Sequence, residues 1–172
     1  MSGQLGEESM NTILYHGTTE RIEHPLCHVG RPNLDFGQGF YLTELRAQAI
    51  DWAERMSLRR GEPALLNRYK TDIESLQAEA RCRIFEAYDE QWLSFIVACR
   101  QGYDPRKDYD MIIGGVANDR VIDTVRLYMQ GLMPMEIALK RLAEHQPNNQ
   151  ICMLNQSLTD KYLIFDGTER IE

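Results

Sequence analysis

The sequence predicts an α+β fold, because short β-prone runs lie near both ends of the chain and the helical patterns cluster between them. A repeating βαβ sheet would instead alternate strands and helices along the whole length. No internal repeat, low-complexity tract or linker divides the 172 residues. We therefore expect one domain over residues 11–172, preceded by a disordered leader over residues 1–10, which read MSGQLGEESM.

Two strands and a long loop are predicted near the N-terminus. Residues 13–15 form an apolar run that stops in a turn at residues 16–19. Residues 20–35 contain prolines and histidines without clear periodicity, which is typical of a loop. Residues 40–42 are β-prone and follow two glycines, so they form the second predicted strand.

A helix and a third strand are predicted next. Thr43 can cap this helix, and Gly61 ends it. The third strand covers residues 64–69. One apolar stripe recurs at helical spacing along the helix: Leu45, Ala49, Trp52, Ala53 and Met56.

The middle of the chain is less regular. Residues 71–81 are ambiguous, and residues 83–85 are a possible strand. Asp89 caps a predicted helix that closes at Gly102. Four residues of this helix share one face: Trp92, Phe95, Ile96 and Cys99.

The last third of the chain carries another strand, two helices and two short strands. Residues 109–116 show a buried-strand pattern that runs into glycines. Asp119 opens a predicted helix that Gly131 stops, and Pro134 starts a second one. Short strands are then expected over residues 150–154 and 162–165, on either side of a polar bend.

Composition limits the function classes. The formal net charge of −7 argues against a general binder of the nucleic-acid backbone, although a local basic groove stays possible. No stretch approaches the roughly 18 apolar residues that span a bilayer, and the N-terminus has no secretory pattern. The four cysteines lack metal-site spacing, so we expect reduced thiols in a cytoplasmic protein.

A metal site is not expected from the histidines. His24 and His28 are four residues apart, but Pro25 lies between them and breaks the helix that this spacing would require. The basic cluster of Arg55, Arg59 and Arg60 lies at a predicted helix C-terminus, where the helix dipole favours cations.

Three segments can carry chemistry. Residues 15–18 read YHGT and place an imidazole and a hydroxyl beside a glycine that a flat ligand could approach closely. Residues 35–43 read DFGQGFYLT and deliver two aromatic rings to a strand, on opposite faces. Residues 147–154 read PNNQICML and place a glutamine at the mouth of an apolar strand. Each segment alone fits an ordinary strand end or turn.

Together, in this order, the three segments resemble the ADP-ribosyltransferases, in the branch of diphtheria toxin and the poly-ADP-ribose polymerases. That branch carries a His–Tyr–Glu triad on three strands. The chain is also similar to uncharacterised, stand-alone, toxin-like bacterial members of the same clan. The resemblance covers residues 13–166. It implies a split β-sheet core, with two small antiparallel sheets around an NAD cleft and helices on the flanks.

The resemblance also implies residue roles. His16 matches the triad histidine, which binds the adenosine ribose 2′-hydroxyl, and the backbone of Gly17 holds the nicotinamide carboxamide. Tyr41 matches the tyrosine that stacks on nicotinamide, and Gln150 stands where the branch usually has glutamate. The catalytic residues expected are thus His16, Tyr41 and Gln150. The other cofactor-binding residues expected, besides Gly17, are Thr18, Asp35, Phe36, Gly39 and Phe40.

The expected activity is mono-ADP-ribosyl transfer from NAD, the substrate, to an unknown acceptor with release of nicotinamide. Glutamine can orient a hydroxyl but cannot act as a general base, so poly-ADP-ribose synthesis is not expected. The resemblance implies a bacterial toxin whose partner would be an antitoxin protein. Two alternatives stay open: a weakly active NAD- or ADP-ribose-binding module, and an NAD glycohydrolase. We expect no metal and no membrane partner, and nucleic acid is not favoured as acceptor.

Overall fold

Seven strands and six helices make up residues 12–172, the part of the chain that the computed structural model describes. The predicted leader over residues 1–10 lies outside these residues. The strands are β1 (Thr12–Thr18), β2 (Phe40–Leu42), β3 (Ala64–Thr71), β4 (Cys82–Ile84), β5 (Met111–Gly115), β6 (Asn149–Met153) and β7 (Ile164–Ile171). The helices are α1 (Arg46–Arg60), α2 (Ile73–Glu79), α3 (Glu90–Arg100), α4 (Asp119–Met129), α5 (Met135–Leu142) and α6 (Gln156–Tyr162).

The strands form two small sheets. The first has the order β1-β3-β7 and is antiparallel. The second has the order β2-β6-β5-β4, in which only β4 and β5 are parallel. The sheets meet where Tyr15 of β1 and Thr43, just after β2, exchange backbone hydrogen bonds of 2.8 and 3.0 Å. The prediction of a mixed α+β fold is confirmed.

The second sheet separates two apolar clusters. On one face, Ile151 and Met153 join a cluster that reaches Leu14 and Tyr69 of the first sheet. On the other face, Cys152 joins a cluster that it shares with α3, α4 and α5. Because side chains alternate along a strand, Gln150 lies on the same face of β6 as Cys152.

Strand β1 continues through residues that the sequence predicts as a turn. His16, Gly17 and Thr18 pair with β3 in unbroken antiparallel register. Pairing satisfies the backbone groups of these residues that face β3, so the sheet overrides the turn preference of glycine.

Two helices were not predicted. Helix α2 occupies most of the ambiguous segment 71–81, and α6 replaces the polar bend expected before the last strand. The side chain of Asn155 accepts a hydrogen bond from Leu158 N at 3.0 Å and thereby caps α6. Strand β7 consequently begins at Ile164 and runs to Ile171, beyond the predicted end at 165.

The predicted helix ends are correct in two cases. Asp89 accepts from Trp92 N at 2.9 Å and caps α3, and Gly61 ends α1 with a φ of 66°. Thr43 does not cap α1, because Leu45 holds the N-cap position. The Thr43 hydroxyl accepts from Leu45 N at 3.0 Å and donates to the carbonyl oxygen of Asn149 at 3.1 Å.

The two later helices begin at the predicted residue or one residue after it. Helix α4 begins at Asp119, as predicted, and Asn118 caps it with a side chain that accepts from Arg120 N and Val121 N. Pro134 is the residue before α5 rather than part of its first turn. Over residues 12–172, no helix has the length and apolar character needed to cross a bilayer.

Candidate active site

One cleft of about 1080 Å³ is lined by all three residues that the resemblance marks as catalytic. His16 comes from β1, Tyr41 from β2 and Gln150 from β6. The bridge between Tyr15 and Thr43 holds β1 beside β2, and β2 pairs with β6 in the second sheet. The fold therefore brings together three positions that are far apart in sequence.

The imidazole of His16 is fixed in one tautomer. Its Nδ1 lies 2.5 Å from the carbonyl oxygen of Tyr41, and its ring stacks on Phe40 with the centroids 4.3 Å apart. A carbonyl oxygen only accepts, so Nδ1 carries the hydrogen and Nε2 keeps its lone pair. Burial lowers the pKa of His16 to about 4, so the ring is neutral at pH 7 and offers Nε2 as a hydrogen-bond acceptor.

The hydroxyl of Tyr41 anchors the loop before β2. It donates to the carbonyl oxygen of Gly37 at 2.6 Å and accepts from Phe36 N at 3.0 Å. Burial raises the pKa of Tyr41 well above its usual value, so the hydroxyl stays protonated. The tyrosine ring is therefore held in place against the wall of the cleft.

Gln150 and Asp35 are in direct contact. Both are buried, and Gln150 Nε2 donates to Asp35 Oδ2 at 3.2 Å. The same carboxylate accepts from Ala117 N at 2.9 Å and forms an ion pair with Arg100. Asp35 is thus a buried carboxylate at the wall of the cleft, held by three partners within the chain.

The other predicted cofactor-binding residues differ in their access to the cleft. Thr18, Gly39 and Phe40 line it, as does Asp35. The Phe36 side chain does not, because it is fully buried in the helical cluster and stacks on Phe85. The contact of Phe36 with the site is made by its backbone N–H, which donates a hydrogen bond to the Tyr41 hydroxyl.

Gly17 lines the cleft, and its missing side chain has a structural cause in addition to the predicted approach of a ligand. A Cβ at this position would lie 1.8 Å from the carbonyl oxygen of Ala49 in α1. Glycine is therefore required for the close packing of α1 on β1, whether or not a ligand approaches the opposite side of the backbone.

The cleft is electropositive in a chain that is acidic overall. Among the described residues, the three acidic residues of the lining each pair with an arginine of the cleft: Glu23 with Arg21, Glu20 with Arg60, and Asp35 with Arg100. Arg31, Arg55 and Arg59 also line the cleft. The described lining groups therefore carry a net positive charge, which favours an anionic ligand.

The sequence interpretation missed this role of the arginines. It assigned Arg55, Arg59 and Arg60 to the end of a helix, where α1 does carry Arg59 and Arg60 in its last turn. The signal was present in the spacing, because Arg55 and Arg59 follow Trp52 at helical intervals, and all three line the cleft.

A second cavity of about 480 Å³ adjoins the cleft. The two share Trp52, Arg55 and Val116 as common walls. Asn118 and Arg120, at the start of α4, line only the second cavity.

Comparison with known proteins gives a family without an assigned activity. No curated protein and no solved structure matches the chain. One family model matches residues 12–165, which is nearly all of the sequence. The chain therefore belongs to the family described as "Protein of unknown function (DUF3990)".

Proposed function

We propose that this protein is an NAD-dependent mono-ADP-ribosyltransferase with an ADP-ribosyltransferase-like split-sheet fold. The observation that carries the proposal is the convergence of His16, Tyr41 and Gln150, from three strands, on one arginine-lined cleft. The cleft volume of about 1080 Å³ lies just above the roughly 300–1,000 Å³ typical of small-molecule sites, which suits a dinucleotide.

The polar groups of the cleft match the chemistry of NAD. Its ribose hydroxyls are hydrogen-bond donors, and its diphosphate is an anion. Among the described residues, no hydrogen-bond partner contacts His16 Nε2 or Gln150 Oε1, and neither atom is fully buried. These two neutral acceptors suit the ribose hydroxyls, and the excess of arginine suits the diphosphate.

The proposed reaction breaks the bond between ribose C1′ and the nicotinamide nitrogen. The electron pair of that bond leaves with nicotinamide, and a nucleophile of the acceptor forms the new bond to C1′ and loses its proton. The protein supplies no covalent nucleophile. It positions the ribose and the ring, and holding reactants in a productive geometry is worth about 7–11 kcal/mol in favourable cases.

Tyr41 and the second cavity have separate roles in this proposal. The Tyr41 ring stacks on nicotinamide and orients it, and the contact weakens as the nicotinamide ring loses its charge, so it serves binding more than rate. The second cavity, open beside Trp52 and Arg55, receives the acceptor. The antitoxin partner stays a prediction.

The experiment that tests the proposal is incubation of the protein with adenylate-labelled NAD and a bacterial extract. Label on macromolecules, absent in His16→Ala and Tyr41→Ala, is the expected result. Treatment with protease or nuclease then identifies the class of acceptor.

Other results would favour the alternatives. Nicotinamide release without labelled macromolecules would indicate an NAD glycohydrolase or a small acceptor. Binding of NAD without turnover would indicate a binding module, whereas the absence of both binding and turnover would refute the NAD site as a whole. Because the alanine variants remove packing as well as polar groups, their thermal unfolding should be measured beside the wild type.

A further inference from the structure

Asp35 joins four distant segments of the chain at the wall of the cleft. It belongs to the loop before β2, and it contacts Arg100 at the end of α3, Ala117 before α4, and Gln150 in β6. We propose that Asp35 is a positioning residue that holds the Gln150 carboxamide with its nitrogen inward and its oxygen toward a ribose hydroxyl of NAD. This inference rests on the proposed function.

The orientation of the carboxamide follows from the chemistry of its partner. An ionised carboxylate has only acceptors, so the group that Gln150 presents to Asp35 Oδ2, at 3.2 Å, is its NH₂. The carboxamide oxygen consequently lies on the other side. Within residues 12–172 it has no hydrogen-bond partner, and Gln150 lines the cleft. The carboxamide oxygen of Gln150 is therefore an acceptor of fixed direction, which can orient a ribose hydroxyl.

Asp35 can fix Gln150 because it is fixed itself. Its Oδ1 is engaged by Arg100, and its Oδ2 by the backbone N–H of Ala117 and by Gln150. Its side chain is only 9% exposed. Hydrogen bonds to a charged acceptor are stronger than those between neutral groups, so this arrangement resists rotation of either side chain.

The same contact explains why position 150 carries glutamine rather than glutamate. A glutamate of the same length would place a second carboxylate beside Asp35, with Arg100 as the paired guanidinium. Two like charges in one buried site repel strongly, whereas an amide donates to the existing charge. The departure from the His–Tyr–Glu pattern is thus compensated within the site, and does not by itself imply loss of activity.

A double-mutant cycle tests the proposal, with nicotinamide release from NAD as the activity. Asp35→Asn should lower kcat about 10- to 100-fold with a smaller change in KM, as expected from loss of a hydrogen bond to a charged group. Gln150→Glu should lower kcat as well. The double variant Asp35→Asn/Gln150→Glu should lose less than the product of the two single losses, because the introduced asparagine can donate to the introduced carboxylate.

Asp110 provides a matched control. It is also a buried carboxylate that pairs with an arginine, Arg81, and accepts from a side-chain amide, Asn155 Nδ2, at 3.1 Å. It does not line the cleft. Asp110→Asn should therefore lower the thermal stability without lowering kcat.

Nuclear magnetic resonance gives a readout that does not depend on activity. The side-chain NH₂ signals of Gln150 can be assigned from the spectrum of Gln150→Glu, in which they disappear. They should shift in Asp35→Asn and stay unchanged in Asp110→Asn.

The proposal is overturned if Asp35→Asn keeps the wild-type kcat, or if the kcat losses of the two single variants multiply in the double variant. It is also overturned if the Gln150 NH₂ signals do not shift in Asp35→Asn. A wild type that releases no nicotinamide refutes the proposed function and the catalytic part of this inference together. Failure of the proposed function can be distinguished from failure of the contact between Asp35 and Gln150, because in the first case the Gln150 NH₂ signals would still shift in Asp35→Asn.

Discussion

The imidazole of His16 and the backbone carbonyl of Tyr41 are 2.5 Å apart, so a side chain of the first sheet is bonded to the main chain of the second. This contact lies beside the backbone bridge between Tyr15 and Thr43. The wall of the cleft therefore includes a junction of two sheets. The protonation and orientation of the His16 ring affect both the shape of this junction and the hydrogen bonds that the cleft can offer.

His16→Asn should separate these two roles. Asparagine can place its NH₂ near the position of Nδ1 and keep the bond to Tyr41, but it has no counterpart of Nε2. We expect a small loss of thermal stability, because the ring that stacks on Phe40 is removed. The nicotinamide release rate should fall about 10-fold or more, as for loss of one positioned hydrogen bond. Equal activity of the variant and the wild type would contradict a role for Nε2.

The stability of the wild type should also depend on His16 in acid. Its pKa is about 4 in the folded protein, below the ordinary value of 6.5, so between these values the unfolded chain binds more protons. The contribution of His16 to the free energy of unfolding is therefore complete above about pH 6.5 and is lost as the pH falls toward 4. Urea unfolding of wild type and His16→Asn at pH 7 and pH 4.5 measures this, and the wild type should lose more stability.

Tyr41→Phe should act through the loop that its hydroxyl anchors. The substitution removes the partner of two buried backbone groups, at Gly37 and Phe36, and should cost about 1–3 kcal/mol in the free energy of unfolding. We expect a higher KM for NAD as the loop loosens, with little change in kcat. Tyr88→Phe is the control, because the Tyr88 hydroxyl donates to Val116 O at 2.7 Å and Tyr88 itself does not line the cleft. It should lower stability and leave KM unchanged.

The strand positions of Tyr41 and Gln150 could be predicted from sequence, because residues 40–42 and 150–154 are β-prone. His16 was predicted in a turn, and only its pairing with β3 places it on a strand. The contact between Asp35 and Gln150 could not, since 115 residues separate them and no local pattern encodes their meeting. The sequence also did not predict that Arg55, Arg59 and Arg60 line the cleft. Their position near a helix C-terminus is a sufficient local explanation for basic residues, and only the packing of α1 shows that they reach the cleft.

Replacing Arg31 and Arg59 should weaken NAD binding through charge. Arg31→Ala/Arg59→Ala removes two of the cleft's cations and should raise KM for NAD about 10-fold or more, with a weaker dependence of KM on salt than in the wild type. Arg170→Ala removes an exposed cation of β7 outside the cleft lining and should change neither quantity. An identical KM in the double variant and this control would argue against an anion-binding role.

Arg120 should separate acceptor use from NAD cleavage. It is exposed and lines only the second cavity, whereas the residues proposed to hold NAD line the cleft. Arg120→Ala should therefore reduce transfer of label to macromolecules several-fold, while nicotinamide release measured without an acceptor stays at the wild-type rate. Arg126→Ala, also on an exposed position of α4 but outside both cavities, is the control and should alter neither reaction. If Arg120→Ala lowers both reactions equally, the second cavity is part of the NAD site, and the acceptor must approach from elsewhere.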